Sequence, residues 1–394
     1  MPGYLSPAQL ERDLSIPDLS DPADGQHAIQ QLVQLAADEL SRAWHCEVRW
    51  CRGPRIVTVA DNYDGLGYDP AAVTREGRYT RYAGDKLVLR SHSTAMVPPA
   101  LRALAARPAR PRDVLLVCPG ICYRRDSIDW QHTGTPHQLD LWRISSRPLG
   151  EAELSQMIGT LLGALVPGRA SRAEQRVHPY TTDGRQLDVA HADGWVEVGE
   201  CGLAHPAVLQ RAGLAGCHGL ALGMGLDRLL MLRKGIPDIR LLRSADQRIS
   251  SQMTGLAPYQ PVSTMPAVRR DLSVAVEPGQ DDETIGDRVR DSLGADADCV
   301  EQVTILSSTP CAELPEAAVR RLGARRGQRN LLVRVVLRHL ARTLTDAEAN
   351  ELRDRIYTAL HQGGRAQWAS AASPWPAASP QPAASAQPAA AAGD

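Results

Sequence analysis

Phenylalanine is missing. None occurs in 394 residues that hold nine tyrosines and seven tryptophans, where ordinary usage would put on the order of ten or more. Lysine is nearly missing too, with only Lys86 and Lys234 against a large excess of arginine. A GC-rich gene explains scarce lysine but not a lack of phenylalanine alone, because Phe and Tyr codons are equally AT-rich at their fixed positions and both should be depleted. No stretch approaches the roughly 20 apolar residues that span a bilayer, and the N-terminus has no basic flank followed by an apolar core. Both absences point to a cytoplasmic protein without membrane contact. The eight cysteines never form a C-x-x-C pair, which argues against a structural zinc and a disulfide framework. Excess charge of one sign is also lacking. A formal net charge of -1 gives no global attraction to nucleic acid, so any such contact must come from a local cluster.

What is present divides along the chain, and its length suggests two domains and a tail. Residues 1–25 carry Pro, Asp and Ser without periodicity and read as an extended N-terminal arm. Ile29, Leu32, Val33 and Leu40 keep helical spacing. Strands are expected around Cys46 to Cys51, Lys86 to Leu89, Val114 to Cys118, Leu139 to Ile144 and Trp195 to Val198. Strands so widely interleaved with irregular segments predict an α+β fold and argue against a doubly wound sheet over residues 26–257. From about Tyr259 the order strand, helix, strand, strand, helix suggests a ferredoxin-like domain over 258–362. Its last helix opens on a Thr345/Glu348 capping box. Residues 363–394 are Ala, Pro and Ser, with too little apolar surface to offset ordering, and are expected to be disordered.

Two segments carry chemistry. In the first, Tyr123-Arg124-Arg125-Asp126 leads to His132-Thr133-Gly134-Thr135-Pro136-His137-Gln138-Leu139-Asp140. An arginine at a strand end, a polar loop and a returning strand with alternating Gln and Asp describe a hairpin with a polar inner face, as a bound nucleotide needs. A guanidinium can fork onto a phosphate and follow charge developing at phosphorus. The second runs from Gly219 to Arg228, where glycines allow close approach to a ligand and an arginine sits in the first turn of the following helix. On its own that glycine spacing fits tight strand–helix packing equally well.

Together these segments resemble motifs 2 and 3 of phenylalanyl-tRNA synthetases, a class II aminoacyl-tRNA synthetase family. Ile236-Pro237-Asp238-Ile239-Arg240-Leu241 and Arg90-Ser91-His92-Ser93-Thr94 also resemble runs of that family. The resemblance implies an antiparallel-sheet catalytic domain that uses ATP and Mg²⁺, with an amino acid and tRNA as partners; a fused C-terminal RNA-binding domain suggests no obligatory protein partner. Arg124 would bind the α-phosphate and stabilise the transition state, and Arg228 would hold the far phosphates and stack on adenine. His132, Gly223 and Gly225 would line the nucleotide, and Glu197 would help bind the metal. Gln138, Asp140, His92 and Thr94 would surround the ammonium and carboxylate of the amino acid. His178 and Tyr180 take the places of two phenylalanines around its ring, with Ala221 at the ring's far end. Asp140 stands for the family's Glu and Pro136 for its Phe, so the identity of the amino acid is left open. Asp227 is expected to orient Arg228.

The last domain resembles the anticodon-binding module of single-chain members. No acidic residue lies between Glu316 and Asp346, yet Arg325, Arg326, Arg329, Arg334 and Arg338 do, a cluster expected to meet tRNA phosphates. Activation of phenylalanine and its transfer to tRNA is the leading expectation. The alternatives are a paralogue for a related amino acid or another carrier, and a non-catalytic RNA-binding regulator. Under the first, the missing phenylalanine would let the enzyme be made when charged phenylalanine tRNA is scarce. Chance combined with pocket remodelling is the competing account.

Overall fold

The structure is a computed structural model that describes residues 4–108, 112–262 and 265–365. Most of the expected Ala/Pro/Ser tail therefore lies outside the described residues. The strands are β1 Glu47–Trp50, β2 Ile56–Thr58, β3 Tyr82–Gly84, β4 Leu87–Leu89, β5 Asp113–Ile121, β6 His137–Ser145, β7 Ser171–Gln175, β8 Thr181–His191, β9 Gly194–Ala204, β10 His218–Gly225, β11 Val268–Val276, β12 Val300–Pro310 and β13 Arg329–Leu337.

Seven of them form one sheet in the order β1-β5-β6-β10-β9-β8-β7. Only the edge pair β1/β5 is parallel; the other pairs are antiparallel. Alternation along β6 and β10 separates the two faces. Leu139, Leu141, Leu220, Leu222 and Met224 turn to one side and are buried with Ile29, Leu32 and Leu40 of the helix Ala28–Trp44 and with the helices Glu151–Leu165 and Leu226–Lys234. Each such aliphatic side chain contributes about 1.5–3 kcal/mol on burial. The opposite face carries Asp140, Trp142, Ala221 and Gly223, and it holds the site.

In β9 the alternation slips. Val196, Val198 and Cys201 all join the helix-side core, because pairing with β8 skips between Leu187↔Gly199 and Asp188↔Glu197. This bulge turns Glu197 and Glu200 to the same face, where an unbroken strand would oppose them. Gly199 is required at the bulge, since a Cβ there would lie 2.4 Å from the Gly223 carbonyl oxygen.

The N-terminal arm is not extended throughout. Pro7–Ser15 is a helix, started by a capping box between Ser6 and Gln9 with proline in its first turn. Nine residues are too few to show a period, and the helix is held by tertiary contact: Leu10 and Leu14 pack on Ile121 and Tyr123. Trp195 is 46% exposed and lies beneath the Arg172 guanidinium at 4.6 Å.

Beyond residue 265 the sheet β11-β13-β12 is antiparallel and is covered on one side by the helices Asp282–Leu293 and Asp346–Leu360. The first of these helices also touches the loop after β5. Arg290 donates to the carbonyls of Asp126 and Ser127, and Arg81 is buried between Asp13 and Asp287.

Candidate active site

The open face of the large sheet floors a cavity of about 460 Å³. Arg124, Arg228, His132 and Glu197 line it toward one end and His92, Thr94, Gln138, Asp140 and Tyr180 toward the other, while Gly223 and Gly225 floor it in register beside Asp140 and Gln138.

At the first end Arg124 follows β5, its backbone N–H donating to the Gly134 carbonyl across the loop. Its Nε is buried without a hydrogen-bond partner, and the nearest carboxylate, Asp126, is 3.9 Å away. Arg228 enters in the first turn of the helix Leu226–Lys234 and donates to the Glu197 carbonyl at 3.1 Å. Burial, and then the charge of Arg124, pull the Arg228 guanidinium below its ordinary pKa. Two like charges lining one cavity without a full carboxylate partner favour an incoming polyanion. The Glu197 carboxylate is exposed toward the cavity. His132 is held by Asp129, Nδ1 to carboxylate at 2.6 Å.

The second end carries carboxylates. Asp140 accepts from Ser93 Oγ at 2.5 Å and from the Trp142 indole at 3.3 Å, and burial raises its carboxyl to about 7. Burial also pushes His92 down to about 4; its ring is neutral, and both nitrogens lack a hydrogen-bond partner. Gln138 is fixed by the Ser93 N–H.

Three expectations need correction. Asp227 does not orient Arg228: it accepts from the backbone N–H and the Nδ1 of His137, while the His137 Nε2 takes N–H groups from Leu19 and Arg243. Ala221 is fully buried in a cluster with Trp142 and Tyr180 and does not reach the cavity. His178 also stands behind the wall, 2.9 Å from Glu200.

Glu200 was missed, because counting by twos from Glu197 puts it on the helix side; only the bulge reverses that. Tyr68, stacked on His92 at 5.7 Å, was missed because it comes from an irregular segment. Burial works against the Glu200 charge, yet hydrogen bonds from His178 and Tyr180 hold its carboxyl below the ordinary range.

Residues 12–253 match the family model described as tRNA synthetases class II core domain (F). The chain belongs to this class II synthetase family.

Among relatives, the "Probable phenylalanine--tRNA ligase, mitochondrial" of Drosophila melanogaster is 28% identical over 77% of this chain and 75% of its own length. The "Phenylalanine--tRNA ligase, chloroplastic/mitochondrial" of Arabidopsis thaliana is 27% identical over 76% of this chain and 68% of that relative. The "Phenylalanine--tRNA ligase alpha subunit" of Mycobacterium avium is 30% identical over 60% of this chain and 70% of that relative. The family model ends before β11, so it covers the synthetase core and its cavity but not the C-terminal sheet.

In that sheet the arginines are mostly engaged. Arg334 forks onto Asp271, Arg325 meets Glu277 at 2.8 Å, Arg338 pairs with Glu301, and Arg329 donates to Ser308. Arg326 has no ion pair among the described residues. The acids come from strands and turns distant in sequence, where a scan of the local segment cannot see them.

Proposed function

We propose that this chain is a phenylalanine-tRNA-ligase-type enzyme that activates an amino acid with ATP and esterifies it to tRNA. The carrying observation is one cavity with two under-partnered guanidiniums at one end and a carboxylate with Gln138 at the other. The amino acid's ammonium sits against Asp140 and Gln138, which aims its carboxylate at the α-phosphorus. That carboxylate is the nucleophile, so no general base is needed and positioning does most of the work. A carboxylate oxygen bonds to phosphorus, the bond to the bridging oxygen breaks, and pyrophosphate leaves. Arg124 meets the charge gathering at the α-phosphate, and Arg228 holds the leaving end. A ribose hydroxyl of tRNA then attacks the adenylate carbonyl and releases AMP.

Glu197 fits a divalent cation in a limited way. Among the described residues no three His, Cys, Asp or Glu side chains form a metal cluster, but Mg²⁺ is commonly held by one or two carboxylates plus substrate phosphates. Bound there, it would neutralise polyphosphate charge.

The C-terminal unit, residues 258–362, is read as a ferredoxin-like anticodon-binding domain, supported by its strand and helix order. With that unit in the same chain, the enzyme works without a second subunit. No described helix is long and apolar enough to cross a membrane, and the cytoplasm is the proposed compartment; cell fractionation tests it.

Amino-acid-dependent exchange of pyrophosphate into ATP, run across the twenty amino acids and followed by tRNA acylation, tests the reading. Exchange with an aromatic amino acid is expected. Absence of exchange with every amino acid contradicts it.

A further inference from the structure

The ligase reading lays the amino acid across the sheet, and the assignment of a side-chain subsite rests on that reading. Asp140 pairs in register with Gly223, and Gly223 with Glu200. Neighbouring strands lie roughly 4.8 Å apart, so the two carboxylate-bearing residues stand about 10 Å apart with a bare glycine floor between them. An α-amino acid laid over Gly223 with its ammonium at Asp140 carries its side chain to Glu200.

Glu200 is held as part of a triad. His178 Nε2 lies 2.9 Å from one carboxylate oxygen, and the Tyr180 hydroxyl donates to the other. His178 and Tyr180 are buried, while 36% of the Glu200 side chain stays open to the cavity. A carboxylate has about four lone-pair positions, and the protein's donors fill two of them. A plain phenyl ring pressed against the rest removes water from a charge and returns no hydrogen bond. A ring carrying O–H or N–H returns one. The stacked pair Tyr68 and His92 gives the same cavity a flat aromatic wall, which keeps the preference for a planar side chain.

We propose that the side-chain subsite is built for an aromatic amino acid whose ring carries a hydrogen-bond donor. Glu200 receives that donor, and His178 and Tyr180 are positioning residues that fix the carboxylate.

Pyrophosphate exchange by the full chain, with phenylalanine, tyrosine, 3-hydroxyphenylalanine and 4-aminophenylalanine, tests this. The best donor-bearing substrate should exceed phenylalanine in kcat/KM by at least about tenfold, because a site made to hydrogen-bond a substrate rejects the analogue that cannot. Glu200→Ala and the isosteric Glu200→Gln should both shrink that ratio. Tyr180→Phe should raise KM for the donor-bearing substrate and leave KM for ATP unchanged, a split that a general loss of structure would not give. If the variants fail to fold, the wild-type ratio decides alone. Phenylalanine exceeding every donor-bearing analogue overturns this inference and leaves the ligase reading standing. No exchange with any amino acid overturns both.

Discussion

The cleft and the C-terminal sheet use the same side chain in opposite ways. In the cleft, Arg124 has an orphaned Nε with its nearest carboxylate at 3.9 Å, and Arg228 leans only on a carbonyl. In the C-terminal unit, Arg325, Arg334 and Arg338 are each ion-paired with a carboxylate. Both regions look equally basic as text. Only the first gathers two such arginines in one cavity, which is what a polyphosphate requires; exposed pairs such as Arg334–Asp271 are screened by water and release little when exchanged for phosphate.

The largest test of this contrast is Arg124→Ala. Its guanidinium follows transition-state charge, so the exchange kcat should fall by about 10²–10³; a drop under threefold would sink its role. Arg228→Ala should act mainly on KM for ATP, by about tenfold to a hundredfold, the worth of one or two hydrogen bonds to a charged group. Equal loss in kcat with KM unchanged would contradict that division.

The third test is acidity at the opposite end of the cleft. Burial puts the Asp140 carboxyl at about 7, above its unfolded value, so it is neutral below that pH and charged above. Only the charged form attracts an ammonium. KM for the amino acid should therefore fall as pH rises from 6 to 8, by about tenfold, and Asp140→Asn should abolish the slope. A KM that climbs over this range means that Asp140 does not meet the ammonium.

The smallest effect belongs to the C-terminal sheet. Asp271→Ala unmasks Arg334 and should tighten tRNA binding about twofold to threefold with a steeper salt dependence, while the unfolding midpoint hardly moves. Arg326→Ala should weaken binding more than Arg334→Ala does. The reverse ranking would show that the paired arginines carry the contact.

Much of this was legible in the sequence wherever local pattern decides structure. The hairpin carrying Arg124 and Asp140, the glycine-led strand before Arg228 and the Thr345/Glu348 cap of the last helix follow from alternation, spacing and capping. What was not legible depends on contacts between distant segments. The bulge that re-aims Glu200 is set by pairing with β8, Asp227 on its helix meets His137 at the start of β6, and the acids that quench the C-terminal arginines lie about 40 to 60 residues away in sequence. The missing phenylalanine has no counterpart in the fold. If it lets the chain be made during phenylalanine starvation, its yield should hold while those of ordinary proteins fall.

A crystal structure with a non-hydrolysable ATP analogue and the preferred amino acid would locate both substrates at once. The triphosphate is expected between Arg124 and Arg228 and the ammonium at Asp140. A triphosphate bound away from either guanidinium, or an ammonium lying at the arginine end, would contradict that placement.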